Sequence, residues 1–524
     1  MNKKLSLLII SIIIGAAALA GALLCEKKIE KDSLRPTLNM SDEEIQAQPY
    51  FELVAAKGEN RNIPCDIVSI SHGDGYIHLY LPDNTDADHI AVYVRDAEGN
   101  YLARRVYDLT KKATIGPWEI VLDHHDLPVL YFNSDNPNIY KAMSSSSDKN
   151  IVCNGNIHMI VNSYDIQKNG WYREYLSSND DKSSDHSASL QGRGNASWEW
   201  SVSKRSYTLR LGKSMNLLGM GKSKGWNLIG NAIDPSLLKN YVFNEISDEA
   251  GIPHQPRMRA VNLYVDGVYQ GVYNLTTKIK EGTDRVPLTT GDYLFKIDPP
   301  KPDQPVYYTS TIENEDEDYV TVADLIYPEE ASEEELENAS RILQNFIDVI
   351  EDPVGKDLSE ICDIDELARY YWIQEAGMNY DAWERSVYIY YTKNDGKIHF
   401  GPVWDMDLTL GFIHDRHGLT FDSPEGWNTR TYGWYDRLMA DPEFVDVMNE
   451  AYQNGGVRDA LFSGMDKFKD YKEQLGDDAY LNYSFFGRQN MGYSLDHGDS
   501  YDEYCSNMIE FYRQRIEWID RNTE

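Results

Sequence analysis

The stretch from Ser386 to Val403 constrains the fold more than any other. Val387, Ile389 and Tyr391 alternate along one face, Asn394-Asp395-Gly396 forms a turn, and Lys397 to Val403 returns. This pattern predicts an antiparallel hairpin. The strands of such a hairpin lie about 5 Å apart, so the segments flanking it are forced together. Before it, a helix predicted to end at Met378 leads into Asn379-Tyr380-Asp381; after it comes Trp404-Asp405-Met406-Asp407. Two or three carboxylates therefore converge at one hairpin mouth. Acceptor-only oxygens gathered in this way repel one another unless a cation or proton relieves them. Mg²⁺ or Mn²⁺ is the natural relief, held by one or two carboxylates together with a phosphate-bearing substrate.

The rest of the chain reads as α+β. Residues 61–126 show β alternation: Ile77, Leu79 and Leu81 follow a Gly-rich turn, and Ile90, Val92 and Val94 precede another. They predict a small all-β, sandwich-like module. From 127 to 524 the expectation is one α+β domain. In it Tyr207, Leu209 and Leu211 share a strand face, and Val261 to Val265 meets Tyr269 and Tyr273 across Asp266-Gly267. Ser332 with Glu335 forms a capping box that opens a helix with Leu336, Ala339, Leu343, Phe346 and Ile350 on its apolar face. A second helix is expected over Asp365 to Met378, with Leu367, Ala368, Tyr371 and Trp372 inward. The acidic run Glu313 to Asp318 reads as a solvated loop.

At the N-terminus, Lys3-Lys4 precedes 20 uncharged residues, Leu5 to Leu24. That pattern fits a signal peptide or membrane anchor over residues 1–25, with the body outside the cytoplasm. Cys25 follows it, so a lipid anchor is a further option. Residues 26–60 are polar and read as a linker. Cys65, Cys153, Cys362 and Cys505 show no CxxC spacing; two disulfides or buried thiols both fit them.

The 524 residues carry 50 Lys+Arg against 85 Asp+Glu, a net charge of −35. A field of that sign disfavours nucleic-acid backbones. A phosphate ligand would need local basic groups, and the chain supplies them upstream of the hairpin. Arg193-Gly194-Asn195 is a glycine-bearing loop, followed by Lys204-Arg205 and later Lys278. Phosphoryl transfer needs this inventory: metal-binding carboxylates, basic phosphate clamps, and one Asp to accept the proton of the attacking hydroxyl. Taken singly, each Asp could equally be a cap or turn residue.

An ordered set of motifs then resembles the spore coat protein H (CotH) kinase family. Its parts are Gly192-Arg193-Gly194-Asn195-Ala196-Ser197-Trp198, Lys204-Arg205-Ser206-Tyr207 and Trp226-Asn227-Leu228 with Asn231, Asp234, Ser236 and Lys239-Asn240. Gly271-Val272-Tyr273-Asn274-Leu275, Lys278-Ile279, Arg285-Val286, Asn379-x-Asp381 and Trp404-Asp405-x-Asp407 complete it. The resemblance covers about residues 127 to 450. It implies a divergent protein-kinase-like domain that uses ATP with Mg²⁺ or Mn²⁺ to phosphorylate Ser or Thr of a protein substrate. By matching motif, Asp381 is the catalytic Asp, while Asp405 and Asp407 are metal-side. Arg193, Asn195, Lys204, Arg205 and Lys278 fall on the nucleotide side.

Two positions depart from the family. It carries Asn four or five positions after the catalytic Asp, where this chain has Arg385 and Ser386. It carries Glu just before the lysine at 278, where this chain has Thr277. Both departures weaken metal or phosphate binding, so the alternative is a catalytically inactive surface-binding scaffold, its β-module holding a cell-surface or cell-wall partner. A metal-dependent glycosyltransferase built on Asp405-Met406-Asp407, or a glycosidase carboxylate pair, is a third reading. Against the transferase, no doubly wound βαβ pattern surrounds the D-x-D.

Overall fold

The computed structural model describes residues 41, 44, 52–57, 69–71, 76–80, 90–95, 101–115, 118–123, 125–161, 186–194, 196–199, 204–266, 268–298, 309–314, 317–379, 381–382, 385–411, 422–431, 433–487, 498 and 500–523. The apolar run 5–24, Cys25, Cys65 and Asn195 lie outside these residues. Among the described residues no helix is long and apolar enough to cross a membrane. The chain divides into two compact units, one drawn from residues before 125 with 267–269, the other from 125–266 and 270–524.

Among the described residues, the first unit holds two sheets. One is antiparallel, with β1 (Glu52–Lys57), β4 (Ile90–Arg95) and β5 (Tyr101–Tyr107) in the order β1-β4-β5. The other contains β2 (Ser69–Ser71), β3 (Tyr76–Tyr80), β6 (Ala113–Ile115) and β7 (Trp118–Asp123), with β3 parallel to β7. β1 lies inside the stretch read as a linker.

The second unit opens with a closed barrel. Its strands are β8 (Val129–Ser134), β9 (Val152–Ile160), β10 (His186–Gly192), β11 (Tyr207–Asn216), β12 (Lys222–Ile229), β13 (Met258–Val265) and β14 (Val268–Thr277). Their order is β10-β11-β12-β14-β13-β8-β9, and the β9–β10 pairing completes the ring. Tyr207, Leu209 and Leu211 are all buried, as their alternation predicts, and join Trp198, Trp226, Leu228 and Leu263 in the barrel core. Cys153 lies in that core as a free thiol, and Cys362 and Cys505 are also buried free thiols.

A second sheet, ordered β16-β17-β15-β18-β19, contains β15 (Tyr293–Asp298), β16 (Thr309–Asn314), β17 (Glu317–Tyr327), β18 (Val387–Thr392) and β19 (Lys397–Phe400). The expected hairpin is β18–β19. It closes with Thr392 opposite Lys397, and Gly396 takes φ +76° in its turn. The return strand stops at Phe400, three residues short of Val403. There Gly401 adopts φ +113° and Pro402 has no N–H for the ladder.

Helices form the rest. α1 is Pro137–Ser145, α2 Ala196–Glu199, α3 Lys239–Glu249, α4 Glu333–Ile350 and α5 Ile364–Gly377. The capping box at α4 is formed as expected. The Ser332 amide donates to Glu335 Oε2 at 2.8 Å, and the Glu335 amide donates to Ser332 Oγ at 3.3 Å. α5 begins after the cap Asp363 and ends at Met378, whose left-handed backbone (φ +49°, ψ +49°) turns the chain into the Asn379–Asp381 loop. Towards the C-terminus lie α6 (Gly433–Leu438), α7 (Pro442–Gln453), α8 (Val457–Asn482) and α9 (Tyr501–Asn522). Their apolar faces meet α3, α4 and α5 in one large core that includes Phe243, Phe346, Trp372, Trp434, Phe468 and Tyr512.

Candidate active site

The mouth of the β18–β19 hairpin is tied shut by one backbone and one side-chain hydrogen bond. The Gly401 amide donates to the Tyr388 carbonyl at 3.0 Å. One step further out, Ser386 Oγ donates to Asp405 Oδ2 at 2.9 Å. Asp405 is exposed and adopts φ +65°, ψ +49° at the head of a 3₁₀ turn, Met406–Leu408. Asp is among the few residues that adopt this conformation readily.

The turn is held from beneath by the N-terminus of α3. Asn240 Oδ1 accepts the Met406 amide at 2.8 Å, and Lys239 Nζ donates to the Thr409 carbonyl at 2.6 Å. Asp234 in turn accepts the Lys239 amide at 2.9 Å and the Ser236 amide at 3.1 Å. The Asn379–Asp381 loop closes on the same turn. Asn379 Nδ2 donates to Gln374 Oε1 at 2.7 Å and meets Met406 Sδ at 3.5 Å, while Asn379 Oδ1 accepts the Asp381 amide at 3.1 Å. Asp381 is buried, with Arg385 Nε 3.8 Å from its Oδ1.

The electrostatics record the convergence. The Asp407 carboxyl is pushed well above the usual carboxylate range, first by burial and then by the charges of Asp405 and Asp234; Asp381 adds to this and Lys239 opposes it. An oxygen-only donor set under mutual repulsion, with Asp405 open to solvent, suits a hard divalent cation. Asp405 and Asp407 are the residues that would hold it.

Cations line the other side. Half-buried Arg193 sits with its guanidinium 5.4 Å from the Trp404 ring centre. Burial lowers its pKa, and the charges of Asp405, Tyr388 and Asp407 act against that. Lys278 is lowered to about 8, first by burial and then by Arg193 and Arg210. Lys296, on β15, pairs with Asp298. Burial alone would lower the Lys296 pKa, but Tyr388, Asp298 and Asp405 outweigh it and raise it.

Arg193, Lys278, Asp381, Asp405 and Asp407 thus share one neighbourhood. Lys204 and Arg205, expected beside them, are engaged elsewhere. Lys204 Nζ donates to Asn482 Oδ1 at 2.6 Å and lies 5.5 Å from the Tyr273 ring centre and 5.4 Å from that of Phe486. Arg205 donates to the carbonyls of Met143 and Ser146 at the end of α1, with its guanidinium 4.2 Å over Trp198. A buried cation needs acceptors or aromatic faces, and these two find theirs within the protein. Thr277 is likewise engaged in backbone pairing with Arg257, whose amide donates to Thr277 Oγ1 at 3.1 Å.

Sequence reasoning missed Lys296 and Asp298. The signal was available: two charged residues at i and i+2 on one face of a strand that is otherwise apolar. It also left Asp234, Lys239 and Asn240 without a role, and they prove to brace the Asp405–Asp407 turn. Residues 190–519 match the family described as CotH kinase protein. No curated protein matches the chain.

Proposed function

Because the chain belongs to the CotH kinase protein family, we propose that it is an atypical protein kinase that transfers the γ-phosphoryl of ATP to a Ser or Thr hydroxyl of a protein substrate. The observation that carries this reading is the meeting of Asp381, Asp405 and Asp407 with Arg193 at one hairpin mouth. In this reading the domain is protein-kinase-like: helix, catalytic loop, hairpin and metal-side Asp follow in that chain order.

The roles divide among the residues. Asp381 orients the acceptor hydroxyl and takes its proton as the P–O bond to the new oxygen forms and the bond to ADP breaks. Arg193 and Lys278 hold phosphate oxygens and offset their charge. Asp405 and Asp407 would hold Mg²⁺ or Mn²⁺, which when bound neutralises charge on the transferring phosphates. The α3 N-terminus keeps these two carboxylates in place. The apolar segment before residue 25 supports an exported or anchored protein, and in this reading the first unit holds a surface partner.

The test uses residues 26–524 with γ-labelled ATP, Mn²⁺ or Mg²⁺ and a generic acceptor protein. Wild type should label the acceptor. Asp381→Asn should lower kcat by about 10²- to 10⁴-fold, and Asp405→Ala should abolish transfer. Equal labelling by wild type and Asp405→Ala would overturn the proposal. ATP raising the melting temperature without any transfer would favour the inactive scaffold that Ser386 and Thr277 suggest.

A further inference from the structure

We infer that Lys296, Asp298 and Ser386 are positioning residues for the metal-side carboxylate Asp405, and that Ser386 replaces direct ligation by orientation. This rests on the function proposed above.

The inference begins with strand register. β15 pairs antiparallel with β18, with Lys296 opposite Tyr388 and Ile297 opposite Val387. The next step sets Asp298 beside Ser386, and there the Ser386 amide donates to Asp298 Oδ1 at 3.1 Å. Asp298 Oδ2 receives the Lys296 ammonium. Ser386 takes φ +54°, outside the extended region of the strand it precedes. Its hydroxyl then donates to Asp405 Oδ2 at 2.9 Å. An unbroken chain of bonds thus runs from Lys296 to Asp405.

Burial gives this chain weight. Asp298 is 3% exposed and Ser386 8%, so the bond between them lies away from bulk water and is harder to replace, while the bonds to Lys296 and Asp405 on either side are part-buried. Asp405, by contrast, is exposed and open to a ligand. A hydroxyl fixed on one carboxylate oxygen sets the rotation of the group and decides which oxygen faces the ligand. Groups one shell back from a metal act in this way. Lys296 also offsets the charge of Asp298, which would otherwise repel the nearby Asp405. A serine whose hydroxyl is already bound to Asp405 acts one step back, so this departure from the family changes what the side chain does and leaves the site organised.

The test is Mn²⁺ binding by residues 26–524, with free ion measured by electron paramagnetic resonance. Ions bound by wild type and not by Asp405→Ala define the site and remove the background of this acidic surface. Ser386→Ala and Asp298→Asn should each weaken that binding by about 10- to 100-fold. Ser386→Asn, which tolerates positive φ and offers an amide donor, should restore it. Lys296→Met should weaken binding, and Lys296→Arg should retain most of it. Melting temperatures establish that each variant folds; if Asp298→Asn does not, the Ala and Asn variants at 386 decide alone. Site binding unchanged in Ser386→Ala would overturn this inference and leave the kinase reading standing. No difference between wild type and Asp405→Ala would remove the metal site, and with it both.

Discussion

At the scale of single residues, the site holds cations whose charge depends on where each side chain lies. Lys278 is the clearest case. Burial and the neighbouring Arg193 bring it down to about 8, so its ammonium is present at neutral pH and disappears as pH rises through that value. If it holds a phosphate oxygen, ATP binding should weaken between pH 7 and 9. Losing one charge-assisted bond of about 1.5–3 kcal/mol would raise Kd by about 10- to 100-fold. In Lys278→Arg the guanidinium stays charged and the profile should be flat over the same range. Equal pH profiles for the two proteins would take Lys278 out of the phosphate site. Lys204 is buried, but its partners are uncharged. Its ammonium is held by Asn482 between two aromatic rings, and burial pushes its pKa well down. In sequence both are lysines near a glycine-bearing loop. What separates them is that Lys204 meets Asn482 at the end of α8 while Lys278 faces Arg193 and Arg210, and no local pattern encodes that.

At the scale of elements, the β18–β19 hairpin is the joint on which the site turns, and its return strand carries a buried histidine. His399 lies between two carboxylates, with Nδ1 3.1 Å from Glu366 Oε2 on α5 and Nε2 3.0 Å from Asp395 Oδ2 in the turn. Asp363, the α5 cap, joins Glu366 and His399 in a set whose ligand atoms all lie within 4.8 Å of one another. With each ring nitrogen facing a carboxylate, both carboxylates favour the protonated ring over the neutral one. Burial alone would lower the His399 pKa; Glu366 and Asp395 outweigh it, and the net shift is upward. A group whose folded pKa is raised stabilises the fold fully below its unfolded value, about 6.5. That contribution is lost as pH rises through the folded value. The melting-temperature gap between wild type and His399→Gln should therefore be widest near pH 5.5–6.5 and close at higher pH. A gap independent of pH would mean that the ring acts through packing alone. The hairpin itself was legible because its signal is local: alternation, a turn and alternation again. The capping box at α4 and the apolar face of α5 were legible for the same reason. The barrel was not. Its ring includes the parallel pairing of Val129 on β8 with Asn262 on β13, a partner far away in sequence and invisible to periodicity. The Lys296–Asp298 pair was missed because the residues that give it a role, Ser386 and Asp405, lie about 90 to 110 positions further along the chain.

At the scale of the whole second unit, the last helix reaches back to the segment that follows the D-x-D turn. Arg515 on α9 and Glu375 on α5 are both fully buried, with Arg515 Nη2 2.5 Å from Glu375 Oε1. Arg515 also donates to the carbonyls of Pro424 and Gly426. Glu375 accepts the Asn428 amide at 2.8 Å, the Arg430 amide at 3.0 Å and the Tyr371 hydroxyl at 3.2 Å. One ion pair thus fixes residues 424–430 against α5, the helix that leads directly into Asp381. A buried pair of this kind adds little net stability over an apolar substitute, yet removing one partner leaves a buried charge uncompensated. Arg515→Met should therefore lower unfolding free energy by about 3–5 kcal/mol. Adding Glu375→Gln removes the stranded charge and should recover much of that loss. Equilibrium urea unfolding of wild type, both single variants and the double variant measures the coupling directly. If the double variant loses as much as the sum of the singles, the pair is not coupled, and the arginine's bonds to the carbonyls of Pro424 and Gly426 must account for its burial. If the double variant recovers stability, its kcat becomes informative as well. Loss of transfer in a stable double variant would show that the 424–430 segment must be held for Asp381 to act, which makes the C-terminal helix part of the catalytic frame.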